Sequence, residues 1–543
     1  MRTKVVAGII VTLFLMTTVL TAIPVKAATE VIKVGIFGPI GLPHWSPAGM
    51  KEAAEMARDE INALDGIHFP DRNATIQLVL GNEYALPVPD PDSAKAEIRR
   101  MIYVEGCDII YGGFRTEVTT AAIEECMDAC AAGQLLAYVI NGASTTELIS
   151  QTVPIDPTRY AHLFRINPTN STALVGTIFQ FLQYQAKCKL SNMYENPSYA
   201  NKIPYAVLTE DLAWTAEMHI LLTNPALYTQ SKYLGPYFNC TYAARVPETA
   251  TDIAPYLNNV QAKNAKILIH IFSGRAGLPL IIQWRELGIE AIPIGINVLA
   301  QIEDHWSNTL AKCEYEATLA FGGTRSPITP QATVFWDNFV AKTGKWPIYT
   351  AWGSYDGLWG LKDFVENTGI SWADFNTPDT FAAQFANSPE RVGLSGKFKF
   401  DSTHDVYSPQ VAMVPYVPTD YVRARLVQWQ KDPANPGEGV MRVTSPTVVD
   451  YAQKWKQPGW LYPAGFESLA ESDTCAPSAP AYNYTVDGTV DLFDIQWIIN
   501  AWLKKPGESG WNFNADLNDD DFINVVDGVR VAKDFLKSVT YPL

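Results

Sequence analysis

The chain has 543 residues, of which 47% are hydrophobic and 18% are charged, so it can bury a large core and is not a disordered polymer. That length predicts three or four folding units. The formal net charge of −16 argues against binding to nucleic acid and against docking to an anionic membrane surface.

The seven cysteines are scattered, and none forms a Cys-x-x-Cys pair, which argues against a zinc ribbon or a thioredoxin-like site. An exported protein can form disulfides, but the odd number leaves at least one cysteine without an intrachain partner. The spacing does not define a pairing.

Residues 1–28 have the layout of a secretory signal. Arg2 and Lys4 precede an apolar run from Val5 to Val25, and small residues follow at Ala27 and Ala28. The alternative is an uncleaved anchor, because the apolar run is close to the length of about 20 residues that spans a bilayer. Threonines and Pro24 dilute the run, so we favour cleavage and export.

Strand-like and helix-like segments alternate between about residues 30 and 470, which predicts an α/β fold with doubly wound parallel sheets. We expect a first strand at residues 31–39, a helix at 48–64, a strand at 76–80 and a helix at 93–104. The pattern restarts with a helix near 172–190 and continues with strands at 205–208 and 267–272. Residues 292–297 are expected to cross back to the first half, and residues 396–401 to belong to a late strand pair.

The stretch from Asp108 to Leu148 contains two glycine-containing turns about one βαβ unit apart. Each follows a short apolar strand and leads into a helix, at residues 112–116 and 142–145. Ligands of open α/β sheets bind outside the carboxyl ends of the strands, where helix N-termini offer free N–H groups. The two turns therefore predict one half of a binding cleft, and the alternative is a pair of ordinary capped βα turns.

These turns and the order of elements around them resemble the type I periplasmic binding proteins, in the branch that binds leucine, isoleucine and valine for ABC transporters. The resemblance covers about residues 30–470. It implies two lobes joined by a hinge, which close around a small ligand. We expect the first lobe at about 30–160 and 298–390, and the second at about 161–297 and 391–470.

The resemblance also implies a set of ligand-binding positions. In the first lobe it points to Thr116 and to the turn Ala143-Ser144-Thr145; in the second, to positions 214, 275 and 297. Trp45 and Trp352 are further candidates for apolar walls. The expected ligand-binding residues are Trp45, Arg115, Thr116, Ala143, Ser144, Thr145, Trp214, Arg275 and Asn297.

Two departures from the family pattern bear on the ligand. Asn297 stands near the acid that binds the ammonium group in the family, and Arg275 is an added cation. Both put an ordinary α-amino acid in doubt. Arg115 and Arg275 suit the bidentate recognition of a carboxylate, although either arginine can equally pair with a surface acid.

The composition changes after about residue 470, where a linker at 471–480 leads into a module at 481–543. Two copies of one pattern occur there, 33 residues apart (Asn483 to Asp516), with oxygen-bearing side chains at loop positions 1, 3, 5, 9 and 12. This is the arrangement of an EF-hand calcium loop, in which position 7 contributes its carbonyl. The predicted Ca²⁺ ligands are Asn483, Thr485, Asp487, Thr489, Asp491, Asp494, Asp516, Asn518, Asp520, Phe522, Asn524 and Asp527.

Each loop runs into one helix and ends in aspartate, so the module resembles a type I dockerin, a small all-α unit. That resemblance implies calcium-dependent folding and docking to a cohesin-type partner. The alternative is a solvated acidic tail, which the repeated spacing disfavours. Asn483 and Thr485 replace acids in the first loop, which predicts weaker calcium binding there.

Together these patterns predict an extracytoplasmic solute-binding protein of an ABC transporter, which passes its ligand to a membrane permease and is tethered through a calcium-binding module. The alternative is a ligand-sensing receptor or an extracellular scaffold component. An enzyme is disfavoured, because the chain has no Gly-x-Ser-x-Gly, His-Glu-x-x-His or P-loop pattern and only seven histidines.

Overall fold

The structure is a computed structural model, and it describes residues 30–40, 49–83, 90–182, 202–224, 238–321, 324–407, 421–422, 424–432, 434–435 and 437–445. The signal-like segment, Trp45, the linker and the calcium-loop module lie outside these residues. Among the helices described, none combines the length and the apolar character needed to cross a membrane.

Two large sheets organise the described chain. The first has six strands in the order β2-β3-β1-β4-β5-β6, parallel except for the antiparallel pair of β2 and β3. Its strands are β1 (Glu30–Gly38), β2 (Ile67–His68), β3 (Asn73–Asn82), β4 (Ile109–Gly112), β5 (Ala137–Asn141) and β6 (Leu163–Asn167). The alternation of elements therefore correctly predicted a parallel α/β sheet.

The second sheet has seven strands in the order β15-β14-β11-β10-β9-β7-β8. Five of them run parallel, and β14 and β15 add an antiparallel edge. Its seven strands are β7 (Ile203–Glu210), β8 (Phe238–Val246), β9 (Ile267–Phe272), β10 (Ile292–Asn297), β11 (Ala317–Ala320), β14 (Arg425–Lys431) and β15 (Gly439–Ser445). Two further strands, β12 (Arg391–Gly393) and β13 (Gly396–Phe398), form a separate hairpin.

Helices cover these sheets. Those described are α1 (Met50–Ala63), α2 (Pro91–Arg99), α3 (Thr116–Ala131), α4 (Thr152–Ile155), α5 (Ser171–Phe181), α6 (Ala213–Thr223), α7 (Ala254–Ala262), α8 (Gly277–Glu286), α9 (His305–Asn308), α10 (Ala332–Thr343), α11 (Tyr349–Thr368), α12 (Trp372–Phe375) and α13 (Pro378–Ala386). A π-helical turn follows α2 at Arg100–Val104, and 3₁₀ turns occur at Thr146–Leu148 and Val298–Gln301.

Local sequence explains several helix ends. Asp90 caps α2, accepting the Asp92 N–H at 3.1 Å, with Pro91 in the first turn. Asn170 caps α5 in the same way through the Ala173 N–H at 2.9 Å. Gly369 ends α11 in the left-handed conformation, which glycine adopts without steric cost.

Each sheet is the centre of one lobe. Strands β4, β5 and β6 of the first sheet and β7, β9, β10 and β11 of the second are buried along their whole length, as expected for parallel strands covered on both faces. Helix α11 packs against α1 on the first lobe. The expected two-lobed α/β architecture with parallel sheets is confirmed.

The crossings between lobes differ from the expected positions. Residues 292–297 form β10, an interior strand of the second sheet that pairs with β9 and β11, and not a crossing segment. Residues 298–320 stay with that sheet through β11, whereas Phe398 and Phe400 pack around Phe164 and Phe385 of the first lobe. A fully buried strand and a crossing strand have the same apolar composition, so the sequence pattern does not separate them.

Candidate functional site

A cavity lies between the two lobes at the carboxyl ends of strands from both sheets. Its empty volume is about 590 Å³, counting the open solvent at its mouth. The residues that line it are Phe114, Arg115, Thr116, Gly142, Ala143, Ser144, Pro168, Leu174, Trp214, Ser273, Ile296, Val298, Gln301, Leu319, Ala320, Phe321 and Tyr349.

The first-lobe wall is built by the two turns that follow β4 and β5. Arg115 occupies the N-cap position of α3, and no side chain caps that helix. The first N–H groups of α3 therefore start at the cavity wall, where an anion is stabilised by them and by the helix dipole. Thr116 is held in place by a hydrogen bond of 2.8 Å between its hydroxyl and that of Thr145.

Aromatic rings form the apolar part of the wall. Phe114 and Tyr349 stack with their ring centroids 6.2 Å apart and their planes 27° apart, and the Tyr349 hydroxyl donates to the Gly142 carbonyl at 3.4 Å. On the opposite lobe, the Trp214 indole N–H donates to the Ser273 hydroxyl at 3.1 Å. With its ring nitrogen satisfied by Ser273, Trp214 presents an apolar surface to the cavity.

Arg115 joins the two lobes. Its side chain is only 4% exposed, and its Nη1 lies 3.2 Å from Oε1 of Glu248 in the second lobe. Its Nε also lies 3.6 Å from Glu117 of its own helix, and Glu117 accepts the Ala213 N–H at 3.4 Å from the second lobe. A largely desolvated guanidinium at a lobe interface is a strong anchor for a carboxylate, since the low local dielectric strengthens charged hydrogen bonds.

The second-lobe turn that carries Ser273 is held by a buried acid. The Glu210 carboxylate accepts the Ser273 N–H and hydroxyl, both at 2.8 Å, and the Gly274 N–H at 3.0 Å. Burial raises the pKa of Glu210, which these hydrogen bonds oppose. Glu210 therefore serves to shape the turn, because its oxygens are already engaged by the protein.

A second buried acid, Glu83, lies at the end of β3 behind the aromatic wall. The Phe114 N–H donates to its Oε2 at 2.8 Å, whereas Oε1 has no hydrogen-bond partner among the residues that the structure describes. Burial raises the pKa of Glu83 to about 8, against the opposing effects of the Phe114 N–H and Arg115. Glu83 is accordingly a neutral carboxylic acid at pH 7.

Five of the nine residues predicted for ligand binding line this cavity: Arg115, Thr116, Ala143, Ser144 and Trp214. Thr145 lies behind them and orients Thr116 through the hydroxyl hydrogen bond. Trp45 lies outside the described residues. The two turns after β4 and β5 do converge on one cavity, as the position of parallel strand ends requires.

The remaining two residues lie elsewhere. Arg275 is exposed and is not part of the cavity wall, because the preceding residues of its turn, Ser273 and Gly274, bind Glu210 and leave the longer side chain in solvent. Asn297 is fully buried and donates to Glu316 at 2.8 Å. It follows Ile296, which lines the cavity, and successive strand residues point to opposite faces.

Trp352, a further candidate for an apolar wall, also lies away from the cavity. It is 1% exposed and packs edge-on against Phe335 with ring centroids 5.4 Å apart. Sequence reasoning missed Tyr349, three residues earlier, and the strand end at Leu319, Ala320 and Phe321. The sequence signal for Tyr349 was its place at the start of a helix, and the signal for Leu319, Ala320 and Phe321 was their place at the end of a strand. Trp352, which was predicted instead of Tyr349, belongs to the core face of α11.

The comparisons with known proteins agree with this geometry. The family model described as "Periplasmic binding protein" matches residues 31–415, well over half of the chain, so the chain belongs to the periplasmic binding protein family. No curated protein sequence matches.

Solved structures show the same fold. A putative branched-chain amino-acid ABC transporter protein from Silicibacter pomeroyi is 16% identical with a TM-score of 0.61, covering 79% of this chain and 100% of its own. A solute-binding protein from R. palustris in complex with 4-hydroxybenzoate is 15% identical, TM-score 0.56, covering 76% and 96%. A branched-chain amino-acid binding protein from Streptococcus pneumoniae in complex with isoleucine is 16% identical, TM-score 0.54, covering 77% and 100%.

Proposed function

We propose that this protein is the extracytoplasmic solute-binding component of an ABC transporter, which captures one small ligand between its lobes and presents it to a membrane permease. The observation that carries the proposal is the cavity at the carboxyl ends of both sheets, to which both lobes contribute walls. Membership of the periplasmic binding protein family and the signal-like residues 1–28 support the extracytoplasmic location.

The ligand that fits best is a small carboxylate, or a related amide, with an apolar body. Arg115 and the uncapped N-terminus of α3 favour an anionic group on the first-lobe side. Phe114, Tyr349 and Trp214 favour a flat or branched apolar body. Solved relatives bind 4-hydroxybenzoate and isoleucine, which share this combination of a carboxylate and an apolar body.

Between a simple carboxylate and an α-amino acid, the described wall favours the carboxylate. An α-ammonium group needs a buried acid as its partner, and no aspartate or glutamate is among the described residues that line the cavity. Three acids lie close behind the wall: Glu117 and Glu248 pair with Arg115, and Glu210 beneath Ser273 accepts three hydrogen-bond donors of its own turn. We therefore expect aromatic and branched monocarboxylates to bind more tightly than leucine or isoleucine.

Capture follows from lobe closure. A ligand drives closure only as far as it binds the closed arrangement more tightly than the open one. Arg115 belongs to the first lobe and Trp214 to the second, so a ligand that contacts both gains its full binding energy only when the lobes are together. The closed form is then the species that the permease recognises.

The calcium module is a separate part of the proposal. The loops that begin at Asn483 and Asp516 are proposed to bind one Ca²⁺ each and to dock to a cohesin-type partner, which tethers the receptor near its permease at a raised effective concentration. The repeated ligand spacing supports this. Isothermal titration of the full chain with Ca²⁺ should show two sites, with Asp487→Ala removing one and Asp520→Ala the other; heat from neither site in the wild type would refute it.

The ligand proposal is tested by native mass spectrometry of the protein purified without added ligand, followed by calorimetric titration with benzoate, 4-hydroxybenzoate, leucine and isoleucine. Arg115→Met should weaken carboxylate binding at least about 10-fold, the loss expected from one charged hydrogen bond of roughly 1.5–3 kcal/mol. Arg275→Met is the matched control, since that side chain is exposed and off the wall. An equal loss of carboxylate affinity in both variants would contradict the proposal. So would the absence of any co-purifying molecule together with no binding of the four compounds.

A further inference from the structure

A buried polar cluster lies in the second lobe, away from the ligand cavity. Its members come from four adjacent elements: His270 from the middle of β9, Asn297 from the end of β10, His305 from the start of α9, and Glu316 from the residue before β11. Cys313 lies in the turn before Glu316. All five side chains are at most 1% exposed.

The side-chain atoms of this cluster converge on the Glu316 carboxylate. His305 Nε2 lies 2.7 Å from Glu316 Oε2, and His270 Nε2 lies 3.5 Å from Glu316 Oε1. The ligand atoms of His305, Cys313 and Glu316 all lie within 4.8 Å of one another. Asn297 Nδ2 donates to Glu316 Oε1 at 2.8 Å and fixes the carboxylate.

His270 is the unexplained member. Neither ring nitrogen has a hydrogen-bond partner among the described residues, although the side chain is 0% exposed. Buried polar atoms in native proteins are nearly always satisfied, so the Nδ1 atom without a partner and the long contact of Nε2 with Glu316 require an explanation, of which a bound ion is one. Imidazole nitrogens, a carboxylate and a thiol in one buried cluster are the kinds of ligand that bind transition metals such as zinc.

We propose that this cluster is a structural Zn²⁺ site, with His305 Nε2, Cys313 Sγ, a Glu316 oxygen and His270 Nε2 as its four ligands. The charges balance, since one dication, one thiolate and one carboxylate sum to zero, and a neutral assembly is what a fully buried position requires. The Cys313 thiol releases its proton to solvent as the metal binds. Asn297 is a positioning residue that orients the Glu316 carboxylate.

The two histidine distances to the Glu316 carboxylate are close to those that tetrahedral zinc requires. Zinc bonds of about 2.0–2.3 Å place neighbouring ligand atoms roughly 3.4 Å apart. The separation of 3.5 Å between His270 and Glu316 already meets this, and the 2.7 Å between His305 and Glu316 opens by roughly 0.7 Å when the metal replaces their hydrogen bond. Cys313 Sγ lies within 4.8 Å of the ligand atoms of His305 and Glu316, and His270 adjoins the group through its contact with Glu316.

The rival explanation is a metal-free histidine–glutamate hydrogen-bond network. The two differ in what they require of Cys313 and His270. A network built on His305 and Glu316 has no need of a thiol; it gives His270 Nε2 only a 3.5 Å contact with Glu316 and gives His270 Nδ1 no hydrogen-bond partner among the described residues. A zinc site uses both residues, so a measurement on the sulfur distinguishes the two explanations.

The test is metal analysis and cobalt spectroscopy of the full chain, produced without a histidine tag. Inductively coupled plasma mass spectrometry should find about one zinc per chain. Protein produced in cobalt-supplemented medium should show the near-ultraviolet thiolate-to-cobalt charge-transfer band and the intense visible bands of tetrahedral Co²⁺. Cys313→Ser should abolish the charge-transfer band, and His270→Gln should lower the metal content.

Matched controls lie in the same lobe outside the cluster. Cys240→Ser removes a half-buried cysteine of β8, and His219→Gln removes a histidine that bonds to Thr209 at 2.8 Å. Both should retain the metal and the band. Any one of three results would overturn the proposal. These are less than about one-tenth of an equivalent of zinc per chain, a cobalt spectrum without the charge-transfer band, and equal spectra in the Cys313→Ser and Cys240→Ser proteins. If Cys313→Ser does not fold, the wild-type cobalt spectrum alone decides.

Discussion

Replacing Glu83 with glutamine should change how the stability of the protein depends on pH. Glu83 is fully buried, and burial raises its pKa to about 8 from an ordinary value of 4.5. In the unfolded chain the same carboxyl ionises near pH 4.5, so the unfolded state releases a proton that the folded state keeps. Rising pH therefore favours unfolding between about pH 4.5 and 8, and the effect is zero below this window and complete above it.

The magnitude follows from the size of the window. Each pH unit inside it is worth about 1.4 kcal/mol, so at pH 7 the buried acid lowers the free energy of unfolding by about 3 kcal/mol relative to a group that does not ionise. Glu83→Gln removes the ionisation and keeps a side-chain oxygen for the Phe114 N–H. The variant should therefore be more stable than the wild type at pH 7 and 8, and close to it at pH 4.5.

The assay is guanidinium unfolding followed by tryptophan fluorescence at pH 5, 6, 7 and 8, with the slope of the transition compared between variants. The stability gap between Glu83→Gln and wild type should widen by about 1.4 kcal/mol per pH unit. Glu147→Gln, an exposed glutamate of the same lobe, is the control and should track the wild type. Parallel curves for Glu83→Gln and wild type from pH 5 to 8 would refute the reasoning.

Two further predictions concern the first lobe. Arg165 Nη2 lies 2.6 Å from Asp405 Oδ2, and both side chains are 0% exposed. Asp405→Asn breaks this buried ion pair and should lower the free energy of unfolding by about 3–5 kcal/mol. A loss under about 1 kcal/mol would contradict this prediction. Gly112→Ala would place a Cβ 1.8 Å from the Phe37 carbonyl, whereas Gly133→Ala meets nothing within 4 Å. Thermal unfolding should show a loss of about 1–2 kcal/mol for Gly133→Ala, from positive φ alone, and a larger one for Gly112→Ala.

The parts of the fold that sequence could predict are those with a strong local period. The helix expected at 48–64 is α1 (Met50–Ala63), and the strand expected at 267–272 is β9. The strand expected at 76–80 is the centre of β3, Asn73–Asn82. The sequence did not predict the antiparallel edge formed by β14 and β15. Strand β14 pairs with β11 only because the chain returns to that sheet after about 100 residues, and a local hydrophobic period carries no information about such a distant pairing.

The site was predictable to the level of turns but not of side-chain directions. The two first-lobe turns were found because strand, glycine-containing turn and helix N-terminus occur in one order in the sequence. Arg275 and Asn297 were chosen by position in the family pattern; Asn297 directly follows the wall residue Ile296, and Arg275 comes two residues after the wall residue Ser273. A shift of one residue on a strand reverses its direction, so proximity in sequence predicts the neighbourhood but not the contact.

In the proposed function, Arg115 couples ligand binding to lobe closure. Its Nη1 pairs with Glu248 across the lobes, and the same guanidinium lines the cavity. A carboxylate ligand therefore does not bring Arg115 from water into the site, because the arginine is already 96% buried against the opposite lobe. The ligand instead shares an arginine that is already desolvated beside Glu248, and the charged hydrogen bonds between ligand and arginine form in that low-dielectric setting. Binding energy is thus obtained chiefly in the closed state, which is the differential affinity that closure requires.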